Sequence, residues 1–456
     1  MKKEMLKILS PTAILGYGYP VESFMAGMAE NPDVIGIDAG SVDPGPYYLG
    51  SGKSFTDRTG VKRDLRYILR AAVPAGIPVI IGTAGGSGAK PHLEWCRQII
   101  MELAEEEKLS FKMGIVSADI DKEAVVEAIR NGETEALDDL PELTEKTVAE
   151  AERIVAQMGT GPIIRALKKK CNVVLAGRAY DPAVFSALPV MEGFDEGLAV
   201  HLGKILECAA IAADPGSGAD CVLGILKKDS FILKPLSSKR KFTAASTAAH
   251  SLYEKADPYR LPGPGGLLDL TDVKFKELPD GMVEVSGSRF VKSEKNMIKL
   301  EGVHKVGFRT VSIAGVRDPI MISKISSIID DVKSQVENIL KNENIKSQIF
   351  FHIYGRNGVM DSWEKQMAPP HEIGIVIEVL APSQEQADTV CSITRSTLLH
   401  FGYQDRIATA GNLAFPFSPS DMKGGEVYEF SIYHLMPVKE EGKLFKLKTT
   451  MVKGDA

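Results

Sequence analysis

Short apolar runs alternate with helical periods through the first 190 residues, and each run ends in a turn rich in Gly, Asp or Ser. "KILSPTAIL" leads to "GYGYP" (16–20), "DVIGI" to "DAGSVDPGPYYLGSG" (38–52) and "IPVII" to "GTAGGSGAKPH" (82–92). "KMGIV" leads to "SADID" (117–121), and "NVVL" to "AGRAYDP" (176–182). Apolar runs of this length, bounded by turn residues and followed by helical patterns, predict a parallel sheet with helices on both faces. Between them, "KRDLRYILRAAV" sets Leu65, Ile68, Leu69 and Ala72 on one helical face, while "DKEAVVEAIRNG" opens with Asp119 or Asp121 as its cap. Residues 195–212 stack Leu198, Leu202, Ile205, Leu206 and Ala209 at helical spacing. His201 and Glu207 on that helix read either as functional groups or as its surface edge.

Near residue 215 the texture changes to short β-like runs, and "LPDGMVEVSG" reads as a hairpin turning at Asp280 and Gly281. From 305 the order is strand, helix, strand, strand, helix, strand, the pattern of a ferredoxin-like α+β domain, with "ATAGNLAFPFSPSD" inserted before the last strand. The expected organisation is an α/β ligand-binding or catalytic domain over 1–214, a β-rich connecting region over 215–304 and a C-terminal ferredoxin-like domain over 305–456.

Composition narrows the functions. The chain has 456 residues, 44% hydrophobic and 25% charged, enough for a sizeable core. A net charge of -6, with no basic stripe interleaved with aromatics, argues against nucleic acid as a partner. The 5 cysteines are scattered and lack C-x-x-C spacing, which points away from disulfides and zinc and toward the cytoplasm. No apolar run reaches the length of a membrane span, so neither export nor membrane insertion is expected.

In open parallel sheets ligands bind outside the carboxyl ends of the strands, so the five turns are the expected site. In the turn at 82–92, Gly85, Gly86, Ser87 and Gly88 let backbone amides approach an anion at a helix start, with Lys90 and His92 at its tip. A phosphate, a carboxylate or the pyrophosphate of coenzyme A would suit it. The plain alternative is a tight turn that needs glycine for packing. Asp38, directly after a strand, can serve as a base or a metal ligand, and Asp43 and Ser41 lie close enough to share its site. Together with His92 and Glu94, Asp38 and Asp43 could form an oxygen-rich divalent-cation site, unless the two aspartates only bond their own loop. Arg178 is a candidate clamp for a carboxylate, and Asp181 either orients it or caps the next helix. Further on, "STAAHSLYEKADPYRLPGPGG" crowds His250, Tyr253, Glu254, Asp257, Tyr259 and Arg260 together as a cleft wall or a domain junction. Tyr253 and Arg260 are its candidate substrate contacts.

"TAAHSLYEKADPYRLPGPGGLLDL", "VVLAGRAYDPA", "LGKILECAA", "KLEGVHKVGFRTVSIAGVRDP" and "AGNLAFPFSPSD" together resemble the acyclic terpene utilisation family, from the first strand nearly to the end of the chain. The edge motifs "DAGSVDPGPYYLGSG" and "GTAGGSGAKPHLEW" depart from the terpene-cluster pattern, so the resemblance implies catabolism of a carboxylate or an acyl-CoA rather than of a terpenoid. The expectation is a lyase, of hydratase or C–C cleaving type, in which Asp38 is the base, His92 the acid, and Arg178 with the glycine-turn amides stabilises a developing enolate. No nucleophile elbow, Cys/His signature or H-E-x-x-H motif is present. The competing expectation is a non-catalytic binding or assembly subunit of a multi-protein enzyme. A homo-oligomer is expected in either case.

Overall fold

A computed structural model of the chain describes residues 3–253, 256–365, 368–407 and 409–454. It divides into two compact units, the first formed by Met1–His304 with Phe430–Ala456 and the second by Lys305–Glu429.

The first unit is built on a ten-stranded sheet whose centre is the five apolar runs singled out above. These strands, Met5–Ser10, Val34–Asp38, Val79–Gly82, Val173–Ala176 and Phe111–Val116, lie side by side in that order, all parallel. Val34–Asp38, Val79–Gly82 and Val173–Ala176 are buried at every residue, as expected for strands covered on both faces. Ile35, Ile37, Val79 and Ile81 pack toward the helices Arg58–Ala75 and Lys90–Glu106. Val34, Ile80, Val174 and Ala176 pack toward Asp181–Glu192 and Glu196–Leu206 on the other face.

The order of the strands positions the chemistry. Val173–Ala176 enters between the third and fourth strands of the chain, so the turns after residues 38, 82 and 176 become neighbours. Asp38 pairs with Gly82, and Ile81 with Leu175, which ends the three strands at one level.

Residues 215–304 contribute strands to this same sheet: Val222–Lys227 joins antiparallel to Met5–Ser10, followed outward by Phe231–Pro235, Met282–Ser286 and Lys274–Leu278. The last two form the expected hairpin, with Asp280 and Gly281 at φ 59° and 67°. A separate three-stranded sheet comprises Arg260–Gly263, Gly266–Asp269 and Arg289–Lys292. Leu447–Val452 closes the far edge of the large sheet against Phe111–Val116. Strand Arg153–Ala156 stands outside the large sheet and pairs antiparallel with residues 300–303.

In the second unit, strands Gln348–Tyr354 and Ile373–Ala381 pair antiparallel, and residues 308–316 pair with the latter. Helices Pro319–Leu340 and Gln384–His400 cover one face through Ile325, Val332, Val390 and Leu398. Among the described residues no helix is long and apolar enough to cross a membrane.

Candidate active site

Asp38 ends its strand 5% exposed, and its Oδ1 accepts a hydrogen bond from the Gly40 amide at 3.1 Å. Burial raises its pKa well above the usual carboxylate range, and the neighbouring Asp181 raises it further. The Arg178 charge and the Gly40 and Ala39 amides oppose this without reversing it. Asp181, the first residue of its helix, keeps 27% of its side chain exposed and is also raised, by burial first, while Arg178 pulls it down. The two aspartates stand on the turns that flank the one after Val79–Gly82, and the charge of Asp181 acts on Asp38. Like charges held close in a poorly solvated place favour sharing one proton.

Arg178 does clamp a carboxylate, but the carboxylate belongs to the chain. The guanidinium is 3% exposed; its Nε donates to Glu301 Oε2 at 2.7 Å and its Nη2 to Glu301 Oε1 at 3.4 Å. Nη1 donates to Asp181 Oδ1 at 2.9 Å and to the Ala179 carbonyl at 2.7 Å. Burial works against the charge of Arg178, and Glu301 and Asp181 outweigh it to raise its pKa. Glu301, fully buried, also accepts from Lys299 at 2.9 Å and Gln157 at 3.0 Å; burial would raise it, and the two cations hold it below its ordinary value. With Asp38, Asp181 and Glu301 set against Arg178 and Lys299, three acids meet two cations. One retained proton makes the cluster neutral.

Thr83 carries this arrangement in a strained backbone. Its φ is 46°, unusual for a β-branched residue, and its Oγ1 accepts from the Ala179 amide at 3.2 Å and from Arg178 at 3.4 Å. Those bonds tie the glycine-rich turn to the arginine turn.

The glycines of the turn are explained by packing. Gly88, at φ +68°, lies so close that a Cβ there would run into the backbone of Arg178, and a Cβ on Gly40 would stand 2.6 Å from the Gly86 carbonyl oxygen. Three turns thus fit backbone to backbone. The anion place at the start of helix Lys90–Glu106 is also taken by the chain, since the Lys90 amide donates to Asp119 Oδ1 at 3.1 Å. The Arg178 guanidinium and the Lys90 amide are thus bonded within the chain, to Glu301 and Asp119. Ser87 is fully buried, and its Oγ has no hydrogen-bond partner among the described residues.

The other expected site residues are distributed more widely. His92 is fully buried and its Nε2 stands 3.1 Å from the carbonyls of both Tyr48 and Lys53, so it fastens the 38–52 loop rather than meeting Asp38. Burial lowers its pKa to about 4, which keeps it neutral. Lys90 is exposed. Asp43 is exposed, bonded to Ser41 Oγ at 2.9 Å, yet close enough to raise Asp181. Glu94 is paired with Arg97 and Gln98. Asp38, Asp43, His92 and Glu94 do not converge, and no group of three or more His, Cys, Asp or Glu among the described residues could hold a metal ion. Arg260 is exposed on the three-stranded sheet, with its amide bonded to Asp257. Glu254 lies outside the described residues. Tyr253 has its hydroxyl 4.0 Å from Cys208 Sγ and its ring against His250.

His201 is no surface-edge residue. It is fully buried, with Nδ1 2.7 Å from Ser288 Oγ and Nε2 2.9 Å from Ser251 Oγ. Ser251 donates to the Thr247 carbonyl at 2.8 Å, so it accepts from Nε2–H, and Nδ1 accepts from Ser288. Every proton in this chain has a place, and the network fastens three segments together.

Glu301, Lys299, Gln157, Asp119 and Thr83 were not among the expected site residues. The signal for Glu301 was a buried arginine that required a carboxylate, and "KLEG" in a strand put Lys299 and Glu301 on one face.

The model of a family described as "Acyclic terpene utilisation family protein AtuA" matches residues 56–219 and 225–405. No curated protein and no solved structure matches the chain.

Proposed function

From the premise that the chain belongs to the acyclic terpene utilisation family, we propose that it is an acid–base enzyme acting next to the carbonyl of a small carboxylate or its thioester. The reaction is of the lyase type, either hydration or C–C cleavage. The observation that carries this reading is that Asp38 and Asp181, two carboxyls at the carboxyl edge of a parallel sheet, are both raised by burial, with Asp181 raising Asp38 further. Asp38, the more buried and without a cation bonded to it, holds the proton and is the acid. Asp181, bonded to Arg178, is the ionised base at the rim. Environments that push two carboxyls apart assign their roles in this way.

The test is Asp38→Asn against wild type. Infrared difference spectra at neutral pH should show a protonated carboxyl in wild type that is missing from the variant. Turnover across a panel of small carboxylates and acyl-CoA thioesters should fall with it. A variant with wild-type turnover and no change in the carboxyl band would overturn the assignment.

A second reading is favoured by the surface of the second unit. The strand order Gln348–Tyr354, Ile373–Ala381, Met297–Val316, Asp421–Pro437 supports the ferredoxin-like reading of the C-terminal part of the chain. Phe350, Tyr354 and Trp363 are 40%, 51% and 76% exposed there. Apolar exposure of that kind suits a module that meets another subunit. Co-purification of a second protein, lost in Phe350→Ser with Trp363→Ser, would support it.

A further inference from the structure

In the turn at 82–92 the backbone enters the left-handed region at Thr83, Gly85, Gly86 and Gly88, with φ of 46°, 70°, 105° and 68°. Three of these positions are glycine, which adopts such angles freely, whereas the first carries a β-branched side chain, for which they cost stability. A residue that strains the backbone where its neighbours do not points to a use of its side chain.

Thr83 is fully buried, and its hydroxyl reaches across to residue 179. Oγ1 accepts from the Ala179 amide at 3.2 Å and donates to the Ala179 carbonyl at 3.5 Å, so both backbone groups of that residue rest on one side chain. The Ala179 carbonyl in turn accepts from Arg178 Nη1 at 2.7 Å, and Oγ1 itself stands 3.4 Å from the same nitrogen. Nη1 is also the nitrogen that donates to Asp181 Oδ1 at 2.9 Å, while Nε and Nη2 are held by Glu301. The hydroxyl has a rigid mount, since the Thr83 amide donates to the Gly177 carbonyl at 3.0 Å and its carbonyl accepts from the Gly86 amide at 3.1 Å.

Few groups act on Asp181. Burial raises it, as do Glu301 and Asp43, and Asp38 faces it as a further acid. Among these groups only Arg178 favours the ionised form, through its charge and its hydrogen bond.

We propose that Thr83 is a positioning residue for the base, its hydroxyl holding the Arg178 guanidinium in hydrogen-bonding contact with Asp181. This inference rests on the acid–base reading above and names the residue that prepares its base. Without the hydroxyl, the Ala179 amide loses its acceptor, the peptide between residues 178 and 179 is free to turn, and Nη1 loosens from Asp181. The carboxyl then keeps its proton to higher pH and cannot take one from a substrate.

Three variants of the full chain separate the hydroxyl from the strain. Thr83→Ser keeps the hydroxyl, Thr83→Val keeps the β-branched shape and the strain without it, and Thr83→Gly removes both. Infrared titration of protein labelled with carbon-13 at its aspartate carboxyls reads protonation without any substrate, and the Asp181 band is identified by its loss in Asp181→Asn. Thr83→Val and Thr83→Gly should both move the titration of that band to higher pH, and Thr83→Ser should leave it where it is in wild type. The rising limb of kcat/KM against pH, for a substrate found in the panel above, should move with the band, so that activity lost at neutral pH returns in alkaline solution. A merely structural defect would lower the melting temperature and leave both where they were, which overturns the proposal. A shift in Thr83→Val alone would trace the effect to the strain, and an equal shift in Thr83→Ser would trace it to packing; either result overturns it too. If the band moves in Thr83→Val and Thr83→Gly while Asp181→Asn keeps wild-type turnover, the positioning stands and the acid–base reading fails. If Asp181→Asn loses turnover while the band stays in place in both variants, the base stands and Thr83 does not position it.

Discussion

Asp38 in the first unit and Glu378 in the second are both carboxyls at strand positions of a sheet, yet their environments drive them in opposite directions. Glu378 is met by Arg309 at 2.6 Å and His352 at 2.8 Å, and although burial raises it, those partners bring it below its ordinary value. Asp38 has only backbone amides bonded to it, with a second acid beside it, and is raised. Asp388 and Asp421 in the second unit are lowered like Glu378, whereas Asp119 and Asp181 at the sheet edge of the first are raised like Asp38. Glu301 shows that burial alone does not decide, since it is as buried as Asp38 and is still lowered by two cations. What differs is the number of cations supplied per carboxyl. Carboxyls met by cations are held ionised and tie the fold together; Asp38, with only backbone amides bonded to it, is driven toward keeping its proton.

The largest expected difference is in turnover. Asp38→Asn should lower it by roughly a hundred- to ten-thousand-fold, the range of general acid–base catalysis. Glu378→Gln should leave it unchanged, as read by steady-state kinetics on any substrate found in the screen. Equal losses in both variants would erase the distinction between the units.

The pH dependence of stability should also come from the first unit. His92 and His201 are fully buried, and burial lowers them from 6.5 to about 4 and about 3. Below pH 6.5 the unfolded chain takes up protons at these rings and the folded chain does not, so stability is full above that pH and falls as the medium is acidified toward 3. The loss is on the order of 3 to 5 kcal/mol for each ring if the fold lasts through the window. Asp38 acts in the opposite sense, because its folded form binds a proton before its unfolded form does, and offsets part of the loss. Denaturant midpoints from pH 7 to 4 should fall steeply in wild type and less steeply in His201→Asn. Parallel curves would show that His201 is not the source.

Breaking an ion pair should also cost different amounts in the two units. Arg178→Met leaves Glu301 buried with one cation fewer, and should cost about 3 to 5 kcal/mol. Arg309→Met removes a partner that is 40% exposed and should cost about 0 to 1 kcal/mol. Urea unfolding checks both, and similar costs would mean that the second unit is as dependent on its pairs as the first.

How much of this was legible in the sequence depends on how far apart the partners lie. The five parallel strands could be read because each carries its own apolar run and its own turn. Arg178 and Asp181 could be read as a pair because they are three residues apart in one turn. Glu301 could not, being 123 residues from Arg178 and delivered by a strand that pairs with Arg153–Ala156, outside the large sheet. The glycine-rich turn was ambiguous for a physical reason: close backbone packing and anion binding both require a missing Cβ, and only the neighbouring Arg178 and Gly177 show that packing uses it. His92 followed that turn and looked exposed to a ligand, but its ring faces the carbonyls of the adjacent loop.

The smallest expected effect separates a side chain from its own amide. Lys90 was a candidate because a basic residue at a helix start beside glycines suits an anion, yet the edge uses only its N–H, donated to Asp119. Lys90→Ala keeps that N–H, puts a strong helix former in the first turn and removes an exposed ammonium. Stability should stay within about 0.5 kcal/mol of wild type, and turnover should stay unchanged. Asp119→Ala removes the acceptor instead and should cost about 0.5 to 2 kcal/mol, the range for a lost helix cap. If Lys90→Ala lost turnover as Asp38→Asn does, the ammonium would be reaching a substrate, and the sheet edge would hold a free cation that its acids do not neutralise. Stability and kinetics measured on the same two variants decide between these cases, because a capping defect changes the denaturant midpoint and a lost substrate contact changes KM.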